Sequence, residues 1–470
     1  MNRRGLFIAL LAIVAVSLFV QPTFGKGNCI KPYTIKKGMI HFSEPKRAKG
    51  QTTMLGYATA PIEHVRVGII GLGMRGKGFA KRLTIIEGAE VVAICDLVQA
   101  NLDKTQNIIA KAGGKRADEY IGNKAWKELC KREDIDLVYI ITPWEEHTPM
   151  AVYAMEHGKH VAIEVPAATS VAECWQLVDT SERTRKHCMM LENCVYDHFE
   201  LTALNMAQQG LFGEIIHGEG AYIHNLDEFW GGYYNNWRLK FNQTHRGDVY
   251  ATHGLGPICQ AMNIHRGDRM THLVSMDTES WVGKSLAKKS LDSDKFANGD
   301  HTTTLIRTHK GKTIELQHNV YTPRPYNRLY QLTGTKGFAN KYPVEGILLQ
   351  LDESNSNVVP DHENLSAHKF LPEKVFKELM EKYRHPIQKD LMEKAKKVGG
   401  HGGMDFIMDS RLIYCLRNGL PLDQDVYDAA EWSCIGELTA ASIEHNSMPV
   451  AFPDFTRGEW NKLKGVTFAK

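Results

Sequence analysis

Residues 65–96 read VRVGIIGLGMRGKGFAKRLTIIEGAEVVAICD. Val65–Ile70 is a short apolar run, the pattern of a buried strand. It runs into Gly71-Leu72-Gly73-Met74-Arg75-Gly76, a G-x-G-x-x-G turn. The spacing predicts a helix over 77–87 and a second apolar strand over 91–95, ending on Asp96. A dinucleotide site needs this order. Gly71 allows the tight turn, Gly73 admits the pyrophosphate to the backbone, and Gly76 lets the helix pack on the strand. The helix N-terminus offers free N–H groups to the phosphates. Asp96 lies about 20 residues past Gly76, where a carboxylate accepts from the ribose hydroxyls. It would repel a 2′-phosphate, so the expected cofactor is NAD(H) rather than NADP(H).

The alternation continues downstream. Helices are expected over 102–112, 125–132, 148–157 and 171–185, and strands over 135–142, 160–164 and 188–192. That is the pattern of a doubly wound parallel sheet, a Rossmann domain over 65–195. Ligands bind such sheets at the carboxyl ends of the strands. Trp144, Glu145, Glu146, His147, Glu164 and Asn193 all fall at or just past strand ends, so they are candidate cofactor contacts. Alone, His147 would read as a satisfied loop histidine; its position makes it a candidate.

From about residue 215 the pattern changes. Segments 215–224, 272–279, 302–309, 313–320 and 329–334 are strand-like, and Lys310-Gly311-Lys312 reads as a hairpin turn. This predicts an α+β domain over 196–470 with a mainly antiparallel sheet, carrying helices over 371–397 and 404–446.

Upstream, residues 1–25 have the form of an export signal. Arg3 and Arg4 make the basic region, 6–20 is apolar, and Thr23-Phe24-Gly25 suits cleavage. A retained membrane anchor is the alternative, and Arg3-Arg4 also admits the twin-arginine route. The expected location is periplasmic or secreted. Residues 26–64 are polar and read as an arm leading into the first domain. The nine cysteines are scattered without C-x-x-C pairs, which argues against a disulfide framework and for core thiols. No metal-ligand spacing is evident. The formal charge of +3 over 470 residues gives no reason to expect nucleic acid or an anionic membrane as partner. A homo-oligomer is left open.

Several motifs carry a resemblance. The GLGMRG turn with Asp96, the TPWEEH strand end and Glu164-Val165-Pro166 resemble the Gfo/Idh/MocA family of sugar-acting oxidoreductases. MMLENCVYD around Asn193, EGAYIH around Tyr222, Asn236-Trp237-Arg238, the YATHGLGP segment from Tyr250, PRPY ending at Tyr326 and the HGGMD segment from His401 narrow it. Together they resemble glycoside hydrolase family 109, NAD-dependent enzymes known as α-N-acetylgalactosaminidases. The likeness covers nearly the whole chain after residue 60. It implies NAD contacts at Met74, Arg75, Asp96, Trp144, Glu145, Glu146, His147, Glu164, Val165 and Asn193, besides the glycines. It implies that Tyr222, Arg238, Tyr250, Ala251, Thr252, His253 and Tyr326 line the glycoside site, with Tyr250 also reaching the nicotinamide. The parent family's dehydrogenases usually carry Glu-Lys-Pro; here the middle residue is Val165, which cannot relay a proton.

Ordinary glycosidases flank the scissile oxygen with two carboxylates, where a nicotinamide has no role. An NAD-dependent one can oxidise the sugar at C3, acidify the C2 proton, eliminate the C1 substituent, add water and restore the C3 carbinol with NAD regenerated. His253 and Tyr250 are the candidates for the proton transfers. Two other readings are an NAD-dependent sugar oxidoreductase with net turnover of cofactor, and a non-catalytic NAD-linked sugar binder.

Overall fold

The computed structural model describes residues 32–350, 358–359, 365–389 and 391–468. The export signal expected over 1–25, and Cys29, lie outside the described residues. Among those described, no helix is long and apolar enough to cross a membrane.

The described chain begins with a hairpin, β1 (Tyr33–Lys36) and β2 (Met39–Phe42). Then come β3 (Val65–Ile70), β4 (Ala89–Asp96), β5 (Asp118–Ile121), β6 (Leu137–Ile140), β7 (His160–Ile163) and β8 (Cys188–Met190). These six strands form a wholly parallel sheet in the order β5-β4-β3-β6-β7-β8. β6 and β7 are buried at every position, and β3 at all but Arg66, as befits a sheet covered on both faces. The chain winds outward through β4 and β5, then restarts at β6 on the other side of β3. The crevice at the carboxyl ends of β3 and β6 is therefore the switch point where such sheets bind ligands.

The second sheet has ten strands. After β9 (Ile215–Ile223) come β10 (Met270–Asp277), β11 (Thr302–Thr308), β12 (Thr313–Asn319) and β13 (Tyr330–Gly334). β14 (Gly337–Asn340), β15 (Gly346–Leu349) and β16 (Val450–Ala451) follow. The order is β1-β2-β16-β10-β11-β12-β9-β13-β14-β15. It is antiparallel except at β9–β12 and β2–β16. β11 alternates: Thr302, Thr304, Ile306 and Thr308 point inward while Leu305 and Arg307 point out. The predicted turn at Lys310-Gly311-Lys312 joins β11 to β12, with Gly311 at φ +85°.

Some features were not assigned in the sequence reading. The polar arm carries a hairpin that closes the edge of the second sheet, where Ile40 registers with Val450. β5 was not expected; its half-polar DEYI is a sheet edge. The segment Thr252–Met262 is a helix, although Gly254, Gly256 and Pro257 are poor helix formers. All of its residues are buried, and tertiary packing overrides propensity here. A Cβ at Gly220 would collide with the Gly254 carbonyl, so glycine on both elements lets the helix lie directly on β9. That close approach places the start of the helix at the parallel sheet's carboxyl edge. The cysteines among the described residues are buried free thiols.

Candidate active site

The glycine loop shows three different needs for glycine. Gly71 has φ +91°, and a Cβ there would strike the Ile141 carbonyl of the neighbouring strand end. A Cβ at Gly76 would strike the Gly71 carbonyl. At Gly73 a Cβ would meet nothing within 4 Å; the backbone is bare on an open face. The helix Gly76–Ile85 begins there with no side-chain cap and no acid in its first turn, so its N–H groups remain available to an anion. An open glycine beside an uncapped helix is the cradle a pyrophosphate fills.

Asp96 closes this loop from below. Its carboxylate accepts from the Leu72 N–H at 2.6 Å, the Val98 N–H at 2.8 Å and the Asn101 amide at 3.0 Å. The acid at the end of β4 is thus pre-positioned by backbone donors, with part of its surface still open.

Arg75 joins the loop to two distant segments. Its Nε donates to Glu164 at 2.8 Å, and its Nη1 lies 3.1 Å from both Asp405 and the His401 ring. Asp405 in turn accepts from the Asn193 amide at 2.6 Å. Burial works to raise the Asp405 pKa, but His401, Arg75 and Arg82 outweigh it and hold it well below the ordinary range. Glu164 also accepts from the Val165 N–H at 2.9 Å. Arg75, Glu164 and Asn193, three expected cofactor contacts, are therefore one network. Asp405 is its hub; it ends the HGGMD motif, but the sequence reading gave it no site role.

The TPWEEH strand end divides into different roles. Trp144 is buried, whereas Glu145 and Glu146 are exposed. His147 faces the Pro166 carbonyl through Nδ1 at 2.7 Å and the Thr142 carbonyl through Nε2 at 2.8 Å. Burial lowers its pKa. A neutral imidazole carries one ring proton, so His147 donates to one of these carbonyls and packs its other nitrogen against the second, between two strand-end loops.

Trp144 leads into the second half. Tyr250 stacks on it, centroids 5.4 Å apart, and the Tyr222 ring lies 4.6 Å from Tyr250. The Arg238 guanidinium lies 4.6 Å from the Tyr250 ring centre and 5.0 Å from that of Trp144. Its Nη1 donates to the Tyr233 hydroxyl at 2.8 Å, while Nε and Nη2 are buried without a hydrogen-bond partner among the described residues. Orphaned donors on a buried cation mark where a polar ligand belongs. Tyr222 bonds His224 at 3.0 Å, and Tyr326, 42% exposed, sits edge-on to the same imidazole at the mouth. Burial, with Arg328 and Arg238 nearby, pushes His224 down to about 4, so it is neutral. Ala251 and Thr252 form the approach to the helix that carries His253.

His253 packs against both Tyr222 and Tyr250. Its Nδ1 lies 2.7 and 2.9 Å from the two carboxylate oxygens of Glu192, which is completely buried. Burial lowers the His253 pKa more than Glu192 raises it. Burial tends to raise Glu192, but the adjacent ring holds it below the ordinary value. The pair is a neutral imidazole donating Nδ1–H to an ionised carboxylate, which leaves Nε2 as a base. Burial raises Tyr250 well above an ordinary phenol, so it carries its proton. Glu192, Cys194 and His253 present ligand atoms within 4.8 Å of one another. Arg328 donates to the Cys194 sulfur at 3.1 Å, however, and a guanidinium there opposes a cation.

A family model for the oxidoreductase NAD-binding Rossmann fold matches residues 65–192, and one for the glycosyl hydrolase 109 C-terminal domain matches residues 196–462. The chain belongs to glycoside hydrolase family 109. Glycosyl hydrolase family 109 protein 1 of Phocaeicola vulgatus is 61% identical over 428 residues, 90% of this chain and 91% of that one. The family 109 protein of Porphyromonas gingivalis is 60% identical over 433 residues, 92% of each. Among solved structures, scyllo-inositol dehydrogenase from Lactobacillus casei with bound NAD(H) and scyllo-inositol is similar in fold. Its TM-score is 0.56 at 16% identity, covering 83% of this chain and 99% of that one. Levoglucosan dehydrogenase in complex with NADH gives 0.60 at 16%, covering 83% and 100%. The cofactor of this family 109 enzyme is NAD, and the open Gly73 loop fits it.

Sequence reasoning missed Glu192, Asp405, His224 and Arg328 as site residues. Glu192 ends an apolar strand one residue before Asn193, a position where an acid has no packing role. That was its one available signal.

Proposed function

We propose that this enzyme removes terminal α-N-acetylgalactosamine from glycosides by transient oxidation of the sugar at C3. One observation carries the reading: a buried carboxylate holds the neutral imidazole of His253 against Tyr250, which itself stacks on Trp144 beside the cofactor loop. This arrangement supports a proton-transfer group working beside the redox cofactor. Val165, buried at the strand end, supplies no proton relay of its own.

Bound in its loop, NAD supplies a reversible hydride acceptor for the C3 carbinol. His253 and Tyr250 divide the proton transfers at C2 and O3. Arg238 offers its free N–H groups to the sugar oxygens. Tyr222 and Tyr326 offer ring faces and hydroxyls to a polyhydroxylated ring. With the C2 proton gone, the C1 substituent leaves; water then adds at C1, and reprotonation at C2 and reduction at C3 restore the sugar.

The test is hydrolysis of a p-nitrophenyl glycoside panel in D2O. Deuterium at C2 of the released sugar, no build-up of NADH and no reaction of a 3-deoxy glycoside are expected. A paired-carboxylate mechanism leaves C2 fully protonated. Normal hydrolysis of the 3-deoxy glycoside would overturn the mechanism, and stoichiometric NADH would mark a sugar oxidoreductase instead. We also place the enzyme outside the cytoplasm, on the signal-like residues 1–25; finding Met1 on the mature protein would overturn that.

A further inference from the structure

We propose that Arg328 is a catalytic residue: its guanidinium contacts the C3 oxygen of the sugar and holds the negative charge that forms there when the C2 proton leaves. The inference rests on the reaction proposed above.

Arg328 is 6% exposed. Three other buried arginines have carboxylates, whereas Arg238 has none among the described residues: Arg82 meets Asp409 at 2.6 Å, Arg266 meets Asp428 at 2.7 Å and Arg411 meets Asp423 at 2.8 Å. Among the described residues no carboxylate lies within ion-pair distance of Arg328. Its Nη1 donates to the Cys194 sulfur, and its Nε is buried with no partner. Burial raises the Cys194 thiol well above its ordinary pKa, so the sulfur is a neutral and weak acceptor. Burying a cation without a counter-ion is costly. Proteins keep such a group where a ligand completes it.

Arg328 borders the residues expected to line the glycoside site. The guanidinium carbon lies 5.9 Å from the Tyr222 ring centre and 5.6 Å from that of Tyr326. Its charge also depresses the His253 and His224 pKa values, so it acts on the proton-transfer group itself. Arg238 is differently engaged, lying over Trp144 and Tyr250 and tied to Tyr233.

The step balances without a further reagent. At the C3-ketone stage the base takes the C2 proton. The C2–H electron pair forms a C2–C3 double bond, and the carbonyl π pair moves onto oxygen. Arg328 stabilises that oxyanion. The pair then returns to C3=O as C1–C2 becomes double and the C1–O bond breaks. The oxidant that made the ketone is the NAD of the proposed reaction.

The experiment compares wild type, Arg328→Met, Arg328→Lys and Arg328→Ala on p-nitrophenyl α-N-acetylgalactosaminide, with NAD content and thermal stability measured on each. Arg328→Met should lower kcat about 10²–10³-fold, the effect of losing one oxyanion donor, with little change in KM. NAD content should be unchanged. Arg328→Lys should fall between, and added guanidinium should partly rescue Arg328→Ala. Wild-type kcat in Arg328→Met would overturn the inference. So would a loss confined to KM, or a parallel loss of stability and NAD in every variant without rescue. If Arg328→Met does not fold, Arg328→Lys with wild-type kcat overturns it. A wild type that releases no p-nitrophenol would overturn the glycosidase reading and this inference together.

Discussion

The Nδ1 of His253 lies 2.7 Å from a carboxylate oxygen of Glu192, 61 residues earlier in the chain. The contact joins the first turn of a helix that lies on β9 to the carboxyl edge of the parallel sheet. Like Arg75–Asp405 and Asn193–Asp405, it is a hydrogen bond between the cofactor half and the substrate half.

Glu192→Gln should lower the plateau of kcat about 100-fold, the scale of a lost proton-transfer arrangement. The carboxylate raises the His253 pKa against burial, so its removal lets that pKa fall further. The acid limb of the pH–rate profile should therefore move to lower pH. A profile that keeps its position and height would show that Glu192 does not govern the base.

Gly73→Ala and Gly71→Ala should separate cofactor binding from folding. Alanine at 73 meets no atom within 4 Å and needs no unusual backbone angle, so stability should stay within about 1 kcal/mol of wild type. NAD should be lost, because the methyl occupies the approach of the pyrophosphate. Alanine at 71 meets the Ile141 carbonyl at φ +91°, and should lower Tm as well. The measurement is nicotinamide released on denaturation beside a thermal melt; full NAD in Gly73→Ala would contradict the placement.

His265 should make stability fall in alkali. Burial and Arg266 lower its pKa, but Glu431, Asp428 and Asp425 outweigh them and bring it up to about 10. A raised folded pKa contributes stability that is fully present below pH ~6.5 and is lost as pH rises through about 10. The difference in Tm between wild type and His265→Gln should shrink across that window. A difference that holds constant from pH 6 to 10 would rule the linkage out.

Asp248 should act in acid, with the opposite sign from a paired carboxylate. It is buried beneath Tyr250, accepting its N–H at 3.1 Å, and burial raises it to about 7. The folded state thus holds the proton more tightly than the unfolded chain. The resulting penalty grows from pH ~4 to about 7 and is constant above. Asp248→Asn should therefore gain stability relative to wild type as pH rises from 4 to 8. A Tm difference independent of pH would refute the assignment.

The cofactor half was legible because its signals are local. Val65–Ile70, the glycines at 71, 73 and 76, and Asp96 lie within 32 residues, and each answers to a backbone or burial requirement of its own neighbours. Strand, turn, helix and acid could be read in order, and the structure places the strand over the same residues. The alternation after Asp96 specified a parallel sheet for the same reason, since an unbroken apolar run has no face to give to water.

The substrate half is decided by contacts that no window contains. Asp405 meets Arg75 across 330 residues, and Arg328 meets Cys194 across 134. The β1–β2 hairpin finds its partner in a two-residue strand near the C-terminus. The helix Thr252–Met262 contains residues that disfavour helices in isolation; close packing on β9 alone makes it, and its first turn carries His253. Sequence alone therefore determined the class of fold, the cofactor and the residue types available for the chemistry. Only the tertiary structure decided which acid orients the histidine and which arginines are left without a counter-ion, because ionisation state and free hydrogen-bonding capacity are set by whatever the fold brings to within about 3 Å.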